Sequence, residues 1–371
     1  MKVVFATGMY PPAIGGPATY TATMVRELTR RGVMVRVVTY GDKQTLQDRG
    51  VPFFIVTRNR FKSVQYFRYA RAVIRCARDA DIIYAQDPVS AGLPAALAAF
   101  ILRKPFLLKI VGDYAWEQSG TRDLLDDFLT RSYGFRVSIL RAIERWVASR
   151  ARIVIVPSQY LRSIVIRWGI HEDQIVVVPN GVEPFVSASR EDARSKFVLH
   201  GNVILSVGRL VWWKGFHTLI RAARALKNVT VVIVGDGPER TSLEKEAVGV
   251  PVHFIGASDK KTLAEYFAAA DIFVLNTAYE GFSHQLLEVM AAGVPVITTS
   301  AGGNREIVRH EQNALNIEYD DERALAEAVE RLIKDESLGD TLSKNARIDS
   351  SKYTVSRMVD ETMEIFNQVY S

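Results

Sequence analysis

A single cysteine, Cys76, stands in 371 residues, so the chain forms no internal disulfide and no multi-cysteine zinc site. No apolar run approaches the roughly 20 residues that cross a bilayer as a helix. The opening Met1-Lys2-Val3-Val4-Phe5-Ala6-Thr7 runs too soon into proline and glycine to read as a signal peptide. A cytoplasmic protein is the expectation. No Ser-His-Asp or Cys-His constellation stands out, and Asp79-Ala80-Asp81 reads as a helix-to-strand junction, so no metal site is expected. GxGxxG followed by an acid about 20 residues on is missing as well, which argues against a dinucleotide dehydrogenase.

What is present is the material for two soluble domains. Hydrophobic residues make up 48% of the chain and the formal net charge is +6. That charge is unevenly placed: residues 1–180 hold 26 Lys and Arg against 14 Asp and Glu, and residues 181–371 hold 21 against 27. The first half is therefore strongly basic.

Short apolar runs alternate with segments of helical period, the pattern of a parallel α/β sheet. Lys2 to Ala6 reads as a first strand, followed by a turn containing Gly15-Gly16 and a helix from Thr19. A glycine pair at such a turn lets the backbone approach a ligand at a helix N-terminus. Val203 to Val207 is a strand, and Arg209 and Lys214 flank the turn after it. Two long cations at one point suit a diphosphate, the guanidinium bidentate and the ammonium as a point charge. Val231 to Val234 runs into the tight turn Gly235-Asp236-Gly237.

Ile272 to Leu275 reads as a strand, the turn lies at Ala278 to Phe282, and Ser283 caps a helix on which Leu286, Leu287, Met290 and Ala291 recur. Glu280 stands on that turn and Glu288 on the helix. Eight positions at roughly 1.5 Å each separate them by about 12 Å along the axis, beyond the roughly 5 to 9.5 Å of a glycosidase's acid pair. They fit two ends of one elongated polyhydroxylated ligand; the plainer reading is two solvated helix charges.

In the first half, Pro105 to Val111 reads as a strand that ends on Gly112-Asp113, and Asp113 reads either as a catalytic or acceptor-orienting group or as the N-cap of the next helix. The helix after Lys62 carries Tyr66, Phe67, Tyr69 and Val73 on its apolar side. Within 121–149, Phe135, Ile139 and Trp146 are interleaved with Arg136, Arg141 and Arg145. This is either a solvated amphipathic face or contact with an anionic membrane.

The Glu-x7-Glu segment, with Gly281-Phe282-Ser283-His284 after the first Glu and Glu-Val-Met-Ala-Ala-Gly-Val-Pro-Val around the second, resembles the signature of glycosyltransferase family 4. The Gly-Arg…Lys-Gly turn at 208–215, the Gly15-Gly16 loop and the Gly235-Asp236-Gly237 turn match that family in order. The resemblance implies the GT-B fold: two Rossmann-like, doubly wound parallel-sheet domains facing a central cleft, with a last helix crossing back to the first. Expected boundaries are 1–180, 181–352 and 353–371.

It also implies retaining transfer of a hexose or N-acetylhexosamine from a UDP- or GDP-linked donor to a glycan or lipid-linked acceptor. Glu280 would contact the donor sugar's hydroxyls and Glu288 the nucleotide ribose. Arg209 and Lys214 would hold the diphosphate, with Gly15, Gly16, Gly235, Asp236, Gly237, Gly281, Phe282, Ser283 and His284 around the nucleotide sugar. No divalent metal or other cofactor is expected, nor any nucleic-acid partner. Many members carry a His before Asp113; here Gly112 replaces it. An inactive nucleotide-sugar binder and an epimerase on the same fold are therefore the alternatives.

Overall fold

β-Branched and aliphatic runs form the strands, and helices of mixed face return the chain between them. The structure, a computed structural model, describes residues 1–13, 15–41, 50–183 and 189–370; Ile14, in the first glycine-rich turn, lies outside them. Two units result, Met1–Pro179 together with Ser356–Ser371, and Asn180–Val355.

Along the first unit run β1 (Lys2–Thr7), α1 (Gly16–Arg30), β2 (Met34–Tyr40), β3 (Phe53–Val56), α2 (Lys62–Ala77), β4 (Ile82–Gln86) and α3 (Gly92–Leu102). There follow β5 (Phe106–Lys109), α4 (Tyr114–Glu117), α5 (Leu125–Thr130), α6 (Phe135–Arg150), β6 (Ile153–Val156), α7 (Gln159–Arg167) and β7 (Ile175–Val177). Among the described residues these strands make one sheet in the order β3-β2-β1-β4-β5-β6-β7, every pair parallel. The order reverses between β1 and β4, which makes their carboxyl ends the switch point of the unit.

The second unit runs α8 (Arg190–Phe197), β8 (Asn202–Val207), α9 (Phe216–Ala223), β9 (Val229–Val234), α10 (Arg240–Glu246), β10 (Val252–Gly256), α11 (Lys260–Ala269) and β11 (Ile272–Leu275). It continues with α12 (His284–Ala292), β12 (Val296–Thr298), β13 (Leu315–Asn316), α13 (Glu322–Lys334) and α14 (Glu336–Ser350). Its sheet has the order β10-β9-β8-β11-β12-β13, again parallel, with its switch point between β8 and β11. Two apolar layers sandwich this sheet, one built around Phe273, Leu286 and Met290 and the other around Ile204, Phe216 and Ile233.

The last helix, α15 (Val355–Tyr370), packs on the first unit. Phe366 meets Tyr84 of β4 edge to face at 5.3 Å between centroids, and Arg31 beyond α1 pairs with Asp360. Beneath this helix face lies a buried lysine. Lys109 at the end of β5 donates to the Val178 carbonyl at 3.1 Å and stands over the Tyr20 ring at 4.8 Å. Burial lowers its ammonium to about 7.

Candidate active site

Four turns at the carboxyl edge of the second sheet are bonded to one another, and each follows a strand next to or beside the switch point. The turn after β9 lies on the turn after β8: Leu210 N donates to the Asp236 carbonyl and Glu239 N to the Leu210 carbonyl, both at 3.0 Å. This closeness requires Gly235, where φ is +144° and a Cβ would sit 1.8 Å from the Gly208 carbonyl oxygen. The turn after β8 is fastened in turn to that after β11, through Ala278 N on the Trp213 carbonyl at 2.7 Å and Thr277 Oγ1 on the same oxygen at 3.1 Å. Last, the turn after β12 closes on Glu280, with Gly303 N donating to the Glu280 carbonyl at 2.8 Å. There Gly302 has φ +58°, and a Cβ would meet the Glu280 carbonyl oxygen at 2.1 Å.

This stitching brings the second-unit residues singled out by the sequence onto one edge. Lys214 is ion-paired with Glu280, both side chains only 13% and 11% exposed. Two opposite charges so far from water need each other, since removing one partner strands the other. Arg209 is exposed and its side chain forms no hydrogen bond or ion pair with the described residues, so its guanidinium is available to an anion. Ser283 caps α12, its hydroxyl accepting from Leu286 N at 3.2 Å, with His284 as the first helical residue. Gly281 is buried in the turn. Phe282 is also buried and turns its ring against Tyr353 at 5.4 Å, while its carbonyl accepts from Asn180 Nδ2 at 3.1 Å. Its ring is thus part of the core, and only its backbone shapes the turn. Asp236 is exposed, with Oδ1 accepting from Gly237 N at 2.7 Å.

Glu288, on the second turn of α12, has neither a hydrogen-bond donor nor an ion-pair partner among the described residues. Burial pushes its carboxyl up to about 7; Lys260 works against this and Glu183 with it. The side chain is half-buried, and its carboxylate oxygens are open to accept from hydroxyl groups.

The first-unit residues divide differently. Gly15, at φ +150°, is the N-cap of α1, and Gly16 opens that helix with Pro17 behind it. Asp113 is buried and caps α4: Oδ1 accepts from Trp116 N at 2.8 Å and Oδ2 from Trp168 Nε1 at 3.3 Å. Both oxygens are engaged within the unit and burial raises the carboxyl, so the N-cap is the role of the two that the geometry displays. Beside it Glu144, also buried, accepts from Ala115 N at 3.1 Å and is pushed far up by burial and by Asp113.

Two further features lie outside the site residues that the sequence singles out. At the β1/β4 switch point, Asp87 takes φ +68° and accepts from Val89 N at 2.9 Å and Ser90 Oγ at 2.7 Å; burial raises it to about 6. Its signal was Gln86-Asp87-Pro88, a polar break directly after a wholly buried strand. Asn304, in the turn that closes on Glu280, is fully buried with neither carboxamide atom hydrogen-bonded. No local pattern marks such a residue.

Comparison with known families fits this layout. The family model for glycosyl transferases group 1 matches residues 188–349, and that for Glycosyltransferase Family 4 matches residues 14–184. The chain belongs to glycosyltransferase family 4. An uncharacterised glycosyltransferase of Methanocaldococcus jannaschii is 28% identical over 99% of this chain and 98% of its own. The alpha-monoglucosyldiacylglycerol synthase of Streptococcus pneumoniae is 26% identical over 80% of this chain and 70% of that one. Among solved structures, Anabaena HepE in complex with UDP and glucose aligns with a TM-score of 0.83 and 25% identity over 99% of both chains. The fold of this family 4 glycosyltransferase is GT-B, and the two parallel sheets described above are its two Rossmann-like domains.

Proposed function

We propose that this glycosyltransferase moves a hexose or N-acetylhexosamine from a UDP- or GDP-sugar to a glycan or lipid-linked acceptor, with retention at the anomeric carbon. The product would belong to surface polysaccharide or glycolipid synthesis. The observation that carries the reading is the placement of Arg209 and the Lys214–Glu280 pair on one stitched strand-end edge, with unpartnered Glu288 on the helix that leads from it. UDP is the first donor base to test, because HepE is a UDP complex.

In this reading the donor diphosphate takes the guanidinium of Arg209 and draws the Lys214 ammonium from Glu280. Glu280 then accepts from the sugar's hydroxyls, and Glu288 accepts from the ribose. The negative charge that develops on the departing diphosphate is stabilised by two fixed cations, without a divalent metal and at low reorganisation cost. The departing phosphate oxygen is the proton acceptor, so no side-chain base is needed. The enzyme would work from the cytoplasm at the inner face of an anionic membrane, through its basic first domain.

Arg209→Ala gives a clean test, because the exposed side chain supports nothing in the fold. Turnover of the donor falls about 10²- to 10³-fold with an unchanged melting temperature. Turnover equal to the parent enzyme would remove Arg209 from the clamp.

A further inference from the structure

We propose that the outer face of α2, α3 and α6 is a docking surface for an anionic lipid bilayer. The inference deepens the membrane part of the function above and specifies which surface meets the lipid. α3 packs between α2 and α6, and each helix leads from the carboxyl end of one strand back toward the start of the next. All three therefore run the same way, with their last turns side by side.

The exposed positions of α3 are Leu97, Phe100 and Ile101, spaced i, i+3, i+4 and wholly apolar. Phe100 is 79% and Ile101 64% exposed, so the strip stands open to solvent along one helix face. α6 adds Trp146, over whose ring the Arg150 guanidinium lies at 5.6 Å. This is the amphipathic pairing of an aromatic body and a cationic head that suits a headgroup layer.

Cations surround the apolar strip. Arg71 and Arg75 lie on the outer face of α2, Arg103 just beyond α3, and Arg145 beside Trp146, all exposed. None forms an ion pair among the described residues, although cations elsewhere pair freely, as Arg36 does with Asp79 and Arg221 with Glu322. The reason is compositional: α2 and α3 contain no Asp or Glu, and the one acid of α6, Glu144, is buried. A purely solvated face mixes both signs. A face for nucleic acid presents polar and aromatic groups to phosphates and bases, whereas an outward Leu-Phe-Ile strip gains only from hydrocarbon. Apolar residues entering the acyl boundary with arginines on lipid phosphates satisfies both observations.

Flotation of the whole protein with vesicles tests this, using phosphatidylcholine alone and an equal mixture of phosphatidylcholine and phosphatidylglycerol. The parent protein floats with the mixture and not with phosphatidylcholine alone, and high salt weakens the binding. Phe100→Gln with Ile101→Gln lowers affinity about tenfold or more. Arg71→Glu with Arg75→Glu abolishes the preference for the anionic mixture. Both doubles keep the parent's melting temperature and donor turnover, since the four side chains are exposed and none belongs to the proposed donor site. Vesicle binding by either double equal to the parent's would overturn the proposal, as would a parent protein that ignores the anionic vesicles. So would tight binding to duplex DNA or to an acidic protein that survives the Phe100/Ile101 change without vesicle binding. Flotation needs no donor, so Arg209→Ala would lose turnover and still float, which keeps this result separate from the fate of the transferase reading.

Discussion

Glu288 connects burial to ligand chemistry at the scale of one residue. Its carboxyl titrates at about 7 rather than at its ordinary value of 4.5 because burial penalises the charge. The folded protein therefore binds a proton there that the unfolded chain has released. The associated stability is fully present below about 4.5 and is lost as pH rises through about 7. A ribose diol donates more strongly to a carboxylate, which accepts at both oxygens, than to a carboxylic acid, so donor affinity follows the charged form. UDP-glucose has no group titrating in this range, and its affinity is predicted to rise between pH 6 and 8, about tenfold at most for a one-step titration. Calorimetry at several pH values checks this, and Glu288→Gln should bind weakly with a flat profile. A pH-independent parent enzyme would remove Glu288 from the ribose.

The elements show why the site was partly legible. Strands ended on glycine turns at the expected places because a buried parallel strand is a continuous apolar run and its turn needs unusual backbone angles. Ser283 announced its helix for the same local reason. Asp113 did not declare itself, because an N-cap and a reacting carboxyl have the same letter and the same position after a strand. Helical period placed Phe67 on the apolar side of α2, yet it is 67% exposed. Tyr69 and Val73 take the face toward the sheet, and periodicity alone does not say which of two adjacent apolar faces the sheet covers. Arg141 was read as part of a basic face, yet it donates to the Arg131 carbonyl at 2.9 Å and to that of Phe128, and lies over the Phe128 ring at 4.0 Å. The Lys214–Glu280 pair joins residues 66 apart and could not be read from either neighbourhood.

Gly302 carries the element-scale prediction. Gly302→Ala puts a Cβ against the Glu280 carbonyl at a backbone angle that favours glycine, so the turn after β12 must lift off the turn bearing Glu280. The expected loss is about 1–3 kcal/mol of stability, with donor turnover falling further than the melting temperature explains. Thermal denaturation beside a donor-hydrolysis assay measures both. An alanine variant with parent turnover would mean that the contact does not position Glu280.

Across the whole molecule, chemistry and charge are divided between the two domains. The acidic second domain holds the proposed donor groups on one sheet edge. The basic first domain carries Gly15-Gly16, the Asp87 switch point, the buried Lys109 and the bare cationic face, and is completed by α15 from the far end of the chain. All of this depends on the second domain being a nucleotide-sugar site. The most direct measurement is isothermal calorimetry of the purified protein with UDP-glucose, UDP-N-acetylglucosamine and GDP-mannose, in the presence of EDTA, with slow release of the nucleoside diphosphate followed in parallel. One donor is predicted to bind in EDTA and to be hydrolysed slowly, with Arg209→Ala losing both. No binding of any nucleotide sugar, or binding that requires a divalent metal and survives Arg209→Ala, would contradict the account.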